Sequence, residues 1–460
     1  MDLYKFLLHR AGAIHIPRHS VLYQKVQGGG EIMTMEIGIA LLIIFMIMIL
    51  CGIPIAVSLG LSTLVTMVLY GIPLTMYLNV INSGLAKYTL LAIPFFILSG
   101  FVMEKSGISK RIIHFAEVAI GPIPGGLAIV SIAVTLFWGA ISGSGPATVA
   151  ALGTILIPAM IKQGYDRGFA AALVAAASAI AVVIPPSINL VVYGVLAGDS
   201  IGTLFIAGVF PGIIMGGCFM VYAFFYSLRK GYRGSPKGTG KEIWKAFLDA
   251  SWGLVSPIII LGGIYGGFFT PTEAAVISVL YSLIIGLFVY REFKIRDLWN
   301  IVASAAVSSA SIMIIMANAA AFTWLITTQG VATRFGTALL GVSDNHLVIL
   351  LLMCLMLIIA GIFIDGISIA YIFVPLLLPV VKELGMSSVW FGVMMTMAIA
   401  IGFATPPVAV NLYPACRIAD IDLLTISKSV AGFVIAGLVA LILVTVFPDI
   451  IMWFPSLLGA

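Results

Sequence analysis

Four short stretches put oxygen-bearing residues beside helix breakers inside otherwise apolar sequence. They are Ser142-Gly143-Ser144-Gly145-Pro146, Ile184-Pro185-Pro186-Ser187-Ile188-Asn189, Ile364-Asp365-Gly366-Ile367-Ser368 and Ala404-Thr405-Pro406-Pro407-Val408-Ala409-Val410-Asn411. Proline removes an amide donor and frees carbonyls of the preceding turn. In hydrocarbon each unpaired backbone group costs several kcal/mol, so irregular backbone survives there only against protein, ions or water. Two breaks that meet, each with hydroxyls and a loose turn of carbonyls, would offer about five oxygens to a small hard cation, with sodium the natural candidate. Half-helix N-termini at the same breaks direct partial positive charge at an anionic substrate group. Asp365 is the one carboxylate expected near the bilayer centre, where an ionisable residue is by default an ion or substrate ligand. A single proline break reads better as a kink satisfied by neighbouring helices; four at repeat-related places read better as a site.

The elements that must carry these breaks follow from composition. Of 460 residues, 62% are hydrophobic and 9% charged, against about 25% charged in soluble domains. The fold class is therefore an all-α polytopic membrane protein, and a nucleic-acid partner is not expected. Cys51, Cys218, Cys354 and Cys416 each lie in apolar sequence far from one another and read as buried thiols. No HExxH or GxxxxGK[ST] pattern occurs, and the single GxSxG match, Gly198-Asp-Ser-Ile-Gly202, lies between two apolar runs long enough to span a membrane rather than on a strand-to-helix turn, so zinc hydrolase, serine hydrolase and ATP-driven readings find no support and no enzyme activity is expected.

Apolar runs long enough to cross about 30 Å of hydrocarbon lie at 36–51, 54–80, 88–105, 168–198 and 202–228, and again at 251–268, 273–290, 301–327, 387–416 and 424–447. Between the third and fourth run of each set, 124–164 and 346–384 are too long for one crossing and are interrupted near the middle, which suits re-entrant hairpins. Adding 221 to Gly145, Pro158, Gly164, Pro185, Pro186 and Asp199 gives Gly366, Pro379, Gly385, Pro406, Pro407 and Asp420; Gly107 and Arg111 map at 223 to Gly330 and Arg334. The chain thus divides into repeats at 35–228 and 251–460. Scaffold helices are expected at 36–105 and 251–327 and broken helices at 168–198 and 387–416, with 229–250 a cytoplasmic interfacial connector. Five crossings and one hairpin per half force an inverted-topology repeat. Sixteen basic residues fall on one side against Lys87, Arg334 and Lys382 on the other, which makes the first side cytoplasmic. Residues 1–34 lack a signal-peptide core; Met33 or Met35 offers a later start, and the tail reads as a leader, a linker or a non-native remnant. Glu273 reads as a structural residue at the outer edge of a span.

These motifs, with LAIPFFILSG (91–100), GAISGSGPATVAALG (139–153), IPPS (184–187), FTPTEAA (269–275) and TPP (405–407), resemble the large membrane subunit of a tripartite ATP-independent periplasmic (TRAP) transporter over about residues 36–460. The resemblance implies a sodium-driven secondary transporter in the bacterial inner membrane. Its partners would be a periplasmic substrate-binding protein that delivers an organic acid and a small four-helix membrane subunit. It also implies an elevator-type fold with a moving domain of hairpins and broken helices. Carried onto this chain, Ser142, Ser144, Pro185 and Ser187 would line one Na+ site and Gly361, Asp365, Thr405 and Pro406 the other, while Ser144, Asn189 and Asp365 would face substrate. Family substrates include C4-dicarboxylates and sialic acid; overall similarity leans to sialic acid, and no residue decides. Two sodium ions falling through ~100 mV and a tenfold gradient would supply roughly 7 kcal/mol. Two rivals stay open: a stand-alone ion-coupled carboxylate transporter, and an ion channel or membrane-embedded scaffold.

Overall fold

In hydrocarbon the chain must pair its own amides and carbonyls, and runs of Ala, Leu, Ile and Val between Gly and Pro do so as helices. The computed structural model describes residues 21–234 and 238–458, and every regular element among them is helical. The first half runs α1 (Val21–Leu50), α2 (Ile55–Leu69), α3 (Leu74–Leu85), α4 (Ala92–Lys105) and α5 (Ile108–Ile120). The hairpin α6 (Gly126–Ser142) and α7 (Gly145–Lys162) follows, then a crossing broken into α8 (Arg167–Ala179) and α9 (Ile188–Ala197), then α10 (Ile201–Lys230). The second half runs α11 (Gly240–Tyr265), α12 (Pro271–Ile284), α13 (Leu298–Thr328) and α14 (Val331–Leu340). It closes with the hairpin α15 (His346–Phe363) and α16 (Gly366–Glu383), the broken crossing α17 (Ser388–Phe403) and α18 (Leu412–Ala419), α19 (Leu423–Val446) and α20 (Asp449–Leu457).

The duplication is visible at the caps. Gly107 and Gly330, at φ 73° and 67°, open α5 and α14. Ser144 and Asp365 occupy the N-caps of the two 18-residue return arms α7 and α16. One proposed match fails: the left-handed C-caps of α9 and α18 are Gly198 and Asp420, so the register there is 222 and Asp199 is not the mate of Asp420. The physical reason is that C-cap geometry selects Gly or a short polar residue at the left-handed position.

Other expectations need correction. The run 54–80 is not one crossing, because Gly71 (φ 67°) and Pro73 divide it into α2 and α3. The connector 229–250 is not a separate interfacial helix. From Gly240 it is the opening of the 26-residue α11, started by a capping box between Thr239 and Glu242. Of the tail, residues 1–20 lie outside the described residues, and helical backbone runs from Val21 through Gly28–Gly30. The amphipathic helices α5 and α14 were absent from the span count because charged residues interrupt their apolar runs, although Ile108, Ile112, Ile113, Ala332 and Leu339 are buried. Cys51 is exposed and Cys218 half-buried, so only Cys354 and Cys416 are buried thiols; all four are free.

The helices pack as an inner and an outer set. In the inner set, α8 is buried from Gly168 through Ala179 and α17 from Trp390 through Phe403. Alanine and glycine permit this close approach: a methyl on Gly139 would fall 2.9 Å from the Cα of Ala181. The outer set joins α4 to α12 through Ser99 and Ser278, whose hydroxyls are 2.5 Å apart, and α3 to α13 through Tyr77 and Asn318 at 2.6 Å. The two halves differ here. Where the second repeat has the continuous 31-residue α13, the first has α3, a 3-10 turn (Tyr88–Leu91) and α4. At that break Lys87 Nζ donates to the carbonyl of Val195 at 3.3 Å. Lys87, Tyr88 and Thr89 thereby line a cleft with Gly194 and Asp199. The related cleft of the second repeat, at Cys416 and Ile421, is lined by one continuous segment, α18 and the turn into α19, with no residue from α3, α4, α12 or α13.

Candidate cation and substrate site

The first hairpin bends because Gly143 adopts φ 60°, ending α6, and Ser144 is extended (φ −137°, ψ 125°). Gly145 and Pro146 then restart a helix, proline being tolerated where no intrahelical donor is needed. The bend lies directly against the break between α8 and α9: a methyl on Gly143 would fall 2.7 Å from the carbonyl oxygen of Pro186. The bend that carries Ser142 and Ser144 thereby meets the break that carries Pro185 and Ser187. Among the described residues no backbone amide reaches the carbonyls of Ser142, Gly143, Pro185 or Pro186. Ser187 is completely buried, with its hydroxyl donating to Val182 O and accepting from Leu190 N (3.3 Å). Ser142 Oγ donates to Ser144 O at 3.3 Å. Ser144 Oγ caps nothing; with Ser142 it lines a cavity of about 130 Å³ reaching Gly100, Glu104, Trp138 and Ser308.

The second repeat repeats the junction. Gly361 in α15 packs on the end of α17, where a methyl on it would fall 3.1 Å from the Cα of Gly402. Ala409 N donates to Ile362 O at 3.1 Å. The segment after α17 carries Thr405 and Pro406, and among the described residues the carbonyls of Ala404, Thr405, Pro406 and Pro407 receive no backbone amide. Thr405 Oγ1 donates back to Ile401 O at 2.7 Å. Asp365 is more occupied than the sequence suggested. Its Oδ1 accepts from Ile367 N (3.1 Å) and Ser368 N (3.0 Å) and its Oδ2 from Ser368 Oγ (2.6 Å), so it is the N-cap of α16.

The repeats also interlock. Asn189 packs on the second hairpin, where a methyl on Gly366 would fall 2.4 Å from its Nδ2; this nitrogen is buried without a hydrogen-bond partner. Asn189 is thus placed beside Asp365. Its mate Asn411 packs on Gly145 of the first hairpin in the same way. Asn411 was not among the expected site residues, although its spacing of 222 from Asn189 would have found it. Glu273 is exposed and accepts from Thr270 N (2.8 Å) and Thr270 Oγ1 (2.9 Å) in the capping box that starts α12. Among the described residues no three His, Cys, Asp or Glu side chains cluster as a metal site; the donors gathered here are carbonyl and hydroxyl oxygens.

Residues 42–450 match the family model for the DctM component of tripartite ATP-independent periplasmic transporters. An isethionate TRAP transporter permease protein, DctMQ, from Oleidesulfovibrio alaskensis is 41% identical over 412 residues, covering 89% of this chain and 65% of that protein. This chain therefore spans just under two thirds of that relative's length. The C4-dicarboxylate TRAP transporter large permease protein DctM of Rhodobacter capsulatus is 35% identical over 437 residues, covering 91% of this chain and 99% of that one. The crystal structure of the Alcanivorax borkumensis YdaH transporter, described as having an unusual topology, superposes with a TM-score of 0.58 at 14% identity. It covers 81% of this chain and 86% of that chain, and the likeness is one of fold. With a family model matched along nearly its whole length and permeases among its relatives, the chain belongs to the DctM-component family of tripartite ATP-independent periplasmic transporters, a family of membrane permeases and not of enzymes.

Proposed function

We propose that this chain is the large permease subunit of a sodium-coupled transporter for a small organic acid, working beside a small four-helix membrane subunit. A periplasmic binding protein would hand over the acid at the bacterial inner membrane. One observation carries the reading: in each repeat a hairpin meets a broken crossing, and at both junctions backbone carbonyls are left without amide partners. Unpaired carbonyls in a dry interior are costly unless a cation or water answers them. Sodium at the first junction would draw on Ser142, Ser144, Pro185 and Ser187, and at the second on Gly361, Asp365, Thr405 and Pro406. The acid would be met by Ser144, Asn189 and Asp365, with the α7 and α9 N-termini offering positive partial charge.

The relatives named for isethionate and C4-dicarboxylates both handle small anions. The cavity beside Ser144, about 130 Å³, is below the ~300–1,000 Å³ of drug-sized sites and favours such acids over the bulkier sialic acid. Movement of the inner set against the outer set, as in an elevator, is supported by the cavity's position. Ser142, Trp138 and Ser144 form one wall, and Gly100 and Glu104 of α4 with Ser308 of α13 form the other.

The test is uptake of radiolabelled organic acids into proteoliposomes holding both membrane subunits, with the binding protein outside. An inward sodium gradient should drive accumulation, and its collapse should abolish it. Uptake of free acid by this chain alone would instead favour a self-contained carboxylate transporter, and single-channel currents would favour a channel.

A further inference from the structure

Asn189 is the second residue of α9 and Asn411 precedes α18, and each packs on the other repeat's hairpin. A methyl on Gly366 would fall 2.4 Å from Nδ2 of Asn189, and one on Gly145 would fall 2.8 Å from Oδ1 of Asn411. Gly145 and Gly366 are themselves equivalent, as the first residues of α7 and α16. The exchange is reciprocal in position but not in bonding. Asn411, with no exposed surface, donates Nδ2 to Ala175 O in the buried helix α8 at 3.1 Å, and its Oδ1, turned toward Gly145, has no partner. Asn189 lacks such an anchor, and its Nδ2 is unpaired.

We propose that Asn411 is a positioning residue that sets the first hairpin bend from the second repeat and so couples the two cation junctions. Its main chain ends the irregular segment that begins at Ala404: Asn411 N donates to Phe403 O at 3.2 Å, and Ala409 N to Ile362 O at 3.1 Å. Carbonyls of Thr405 and Pro406 that reorient around a cation therefore shift the backbone from which the Asn411 side chain extends. That side chain is tied to Ala175 at one end and touches Gly145 at the other, so the shift reaches the bend holding Ser142, Gly143 and Ser144. The bond from Nδ2 to Ala175 O fixes the amide plane, so Oδ1 bears on Gly145 as a packed contact that cannot swing aside without breaking that buried hydrogen bond. A bend set from across the pseudo-twofold makes occupation of one junction favour the other, which is a coupling free energy and is reciprocal.

The inference rests on the sodium reading, and the experiment separates the two. Uptake by the complete transporter, with binding protein and both membrane subunits, is titrated with sodium in proteoliposomes. Wild type should give a sigmoidal curve. Asn411→Ala should bring the Hill coefficient to about one and raise half-saturating sodium about tenfold, an ordinary coupling magnitude, with the maximal rate at saturating sodium retained. Gly145→Ala should be severely impaired by collision with Asn411. The double variant Gly145→Ala/Asn411→Ala, whose methyl occupies vacated space, should recover maximal rate while keeping the hyperbolic curve; it also serves if the single variants insert poorly. A sigmoidal curve with wild-type half-saturation in Asn411→Ala or in the double variant overturns the coupling role alone. Wild-type uptake indifferent to sodium overturns the sodium reading and this inference with it.

Discussion

Replacing Gly143 by alanine probes the contact between hairpin bend and broken crossing. Gly143 is left-handed, at φ 60°, a conformation that costs an L-residue about 1–2 kcal/mol. Its new methyl would also stand 2.7 Å from the carbonyl oxygen of Pro186. That oxygen is backbone and cannot rotate away, so bend and break must part by roughly 0.8 Å to regain ordinary contact. Gly164 supplies the control, because at φ 88° it carries the same conformational penalty with nothing within 4 Å of the added methyl. Thermal unfolding of the purified proteins should therefore show a loss of about 1–2 kcal/mol for Gly164→Ala and a larger one for Gly143→Ala, which adds the clash with Pro186 to the same conformational penalty. Sodium-dependent uptake should separate the two further, at the sodium half-saturation of the folded protein. Sites of this kind tolerate displacements of about 0.5 Å, and the Gly143 variant exceeds that. Gly143→Ala should raise half-saturating sodium at least about tenfold, ~1.4 kcal/mol, and Gly164→Ala less than about twofold. Superimposable sodium titrations for the two variants would refute the claim that this junction holds a cation.

Three further outcomes are expected. Asp365→Asn keeps a good N-cap while removing the charge, whereas Asp365→Ala also loses the cap, worth about 1 kcal/mol; only the alanine variant should melt lower, and both should lose uptake. Retained uptake in Asp365→Asn would leave Asp365 a cap and nothing more. Asn189→Leu replaces an amide whose buried nitrogen is unpaired, a burden of about 1–3 kcal/mol, so the melting temperature should hold or rise while affinity for the organic acid falls in equilibrium binding. Ser144→Ala removes a hydroxyl that caps nothing; stability should stay within about 0.5 kcal/mol while uptake is lost, and wild-type uptake would take Ser144 out of the transport path.

Much of this architecture was legible because hydrocarbon leaves the backbone few options. Gly143 and Pro186 announce breaks in a medium where breaks are costly, and a constant spacing between Gly145 and Gly366 announces duplication. Signals failed where polarity and geometry diverge. The helix α5 carries Lys110, Arg111 and His114 on a surface face, so an apolar window passes over it although Ile108 and Ile112 are buried. The run 54–80 is uniformly apolar, and only the left-handed Gly71 with Pro73 shows that the chain turns there. The capping duty of Asp365 was readable in principle from the following Ser368, whose amide and hydroxyl both bond it. The packing of Asn411 on Gly145 was not, since nothing local to either residue says which repeat the side chain will meet.

The joint in the outer set between α3 and α4 gives the molecule two unequal ends. The cleft at Asp199 has one wall on each set of helices, with Lys87 reaching across to Val195, while the cleft at Ile421 has all its walls on one continuous segment. Under the proposed elevator movement, a wedge lodged in the first would resist sliding between the sets, whereas one in the second would ride along. On that proposal an inhibitor of the permease would gain nothing from mere tightness at the second cleft, and everything from bridging the seam at the first.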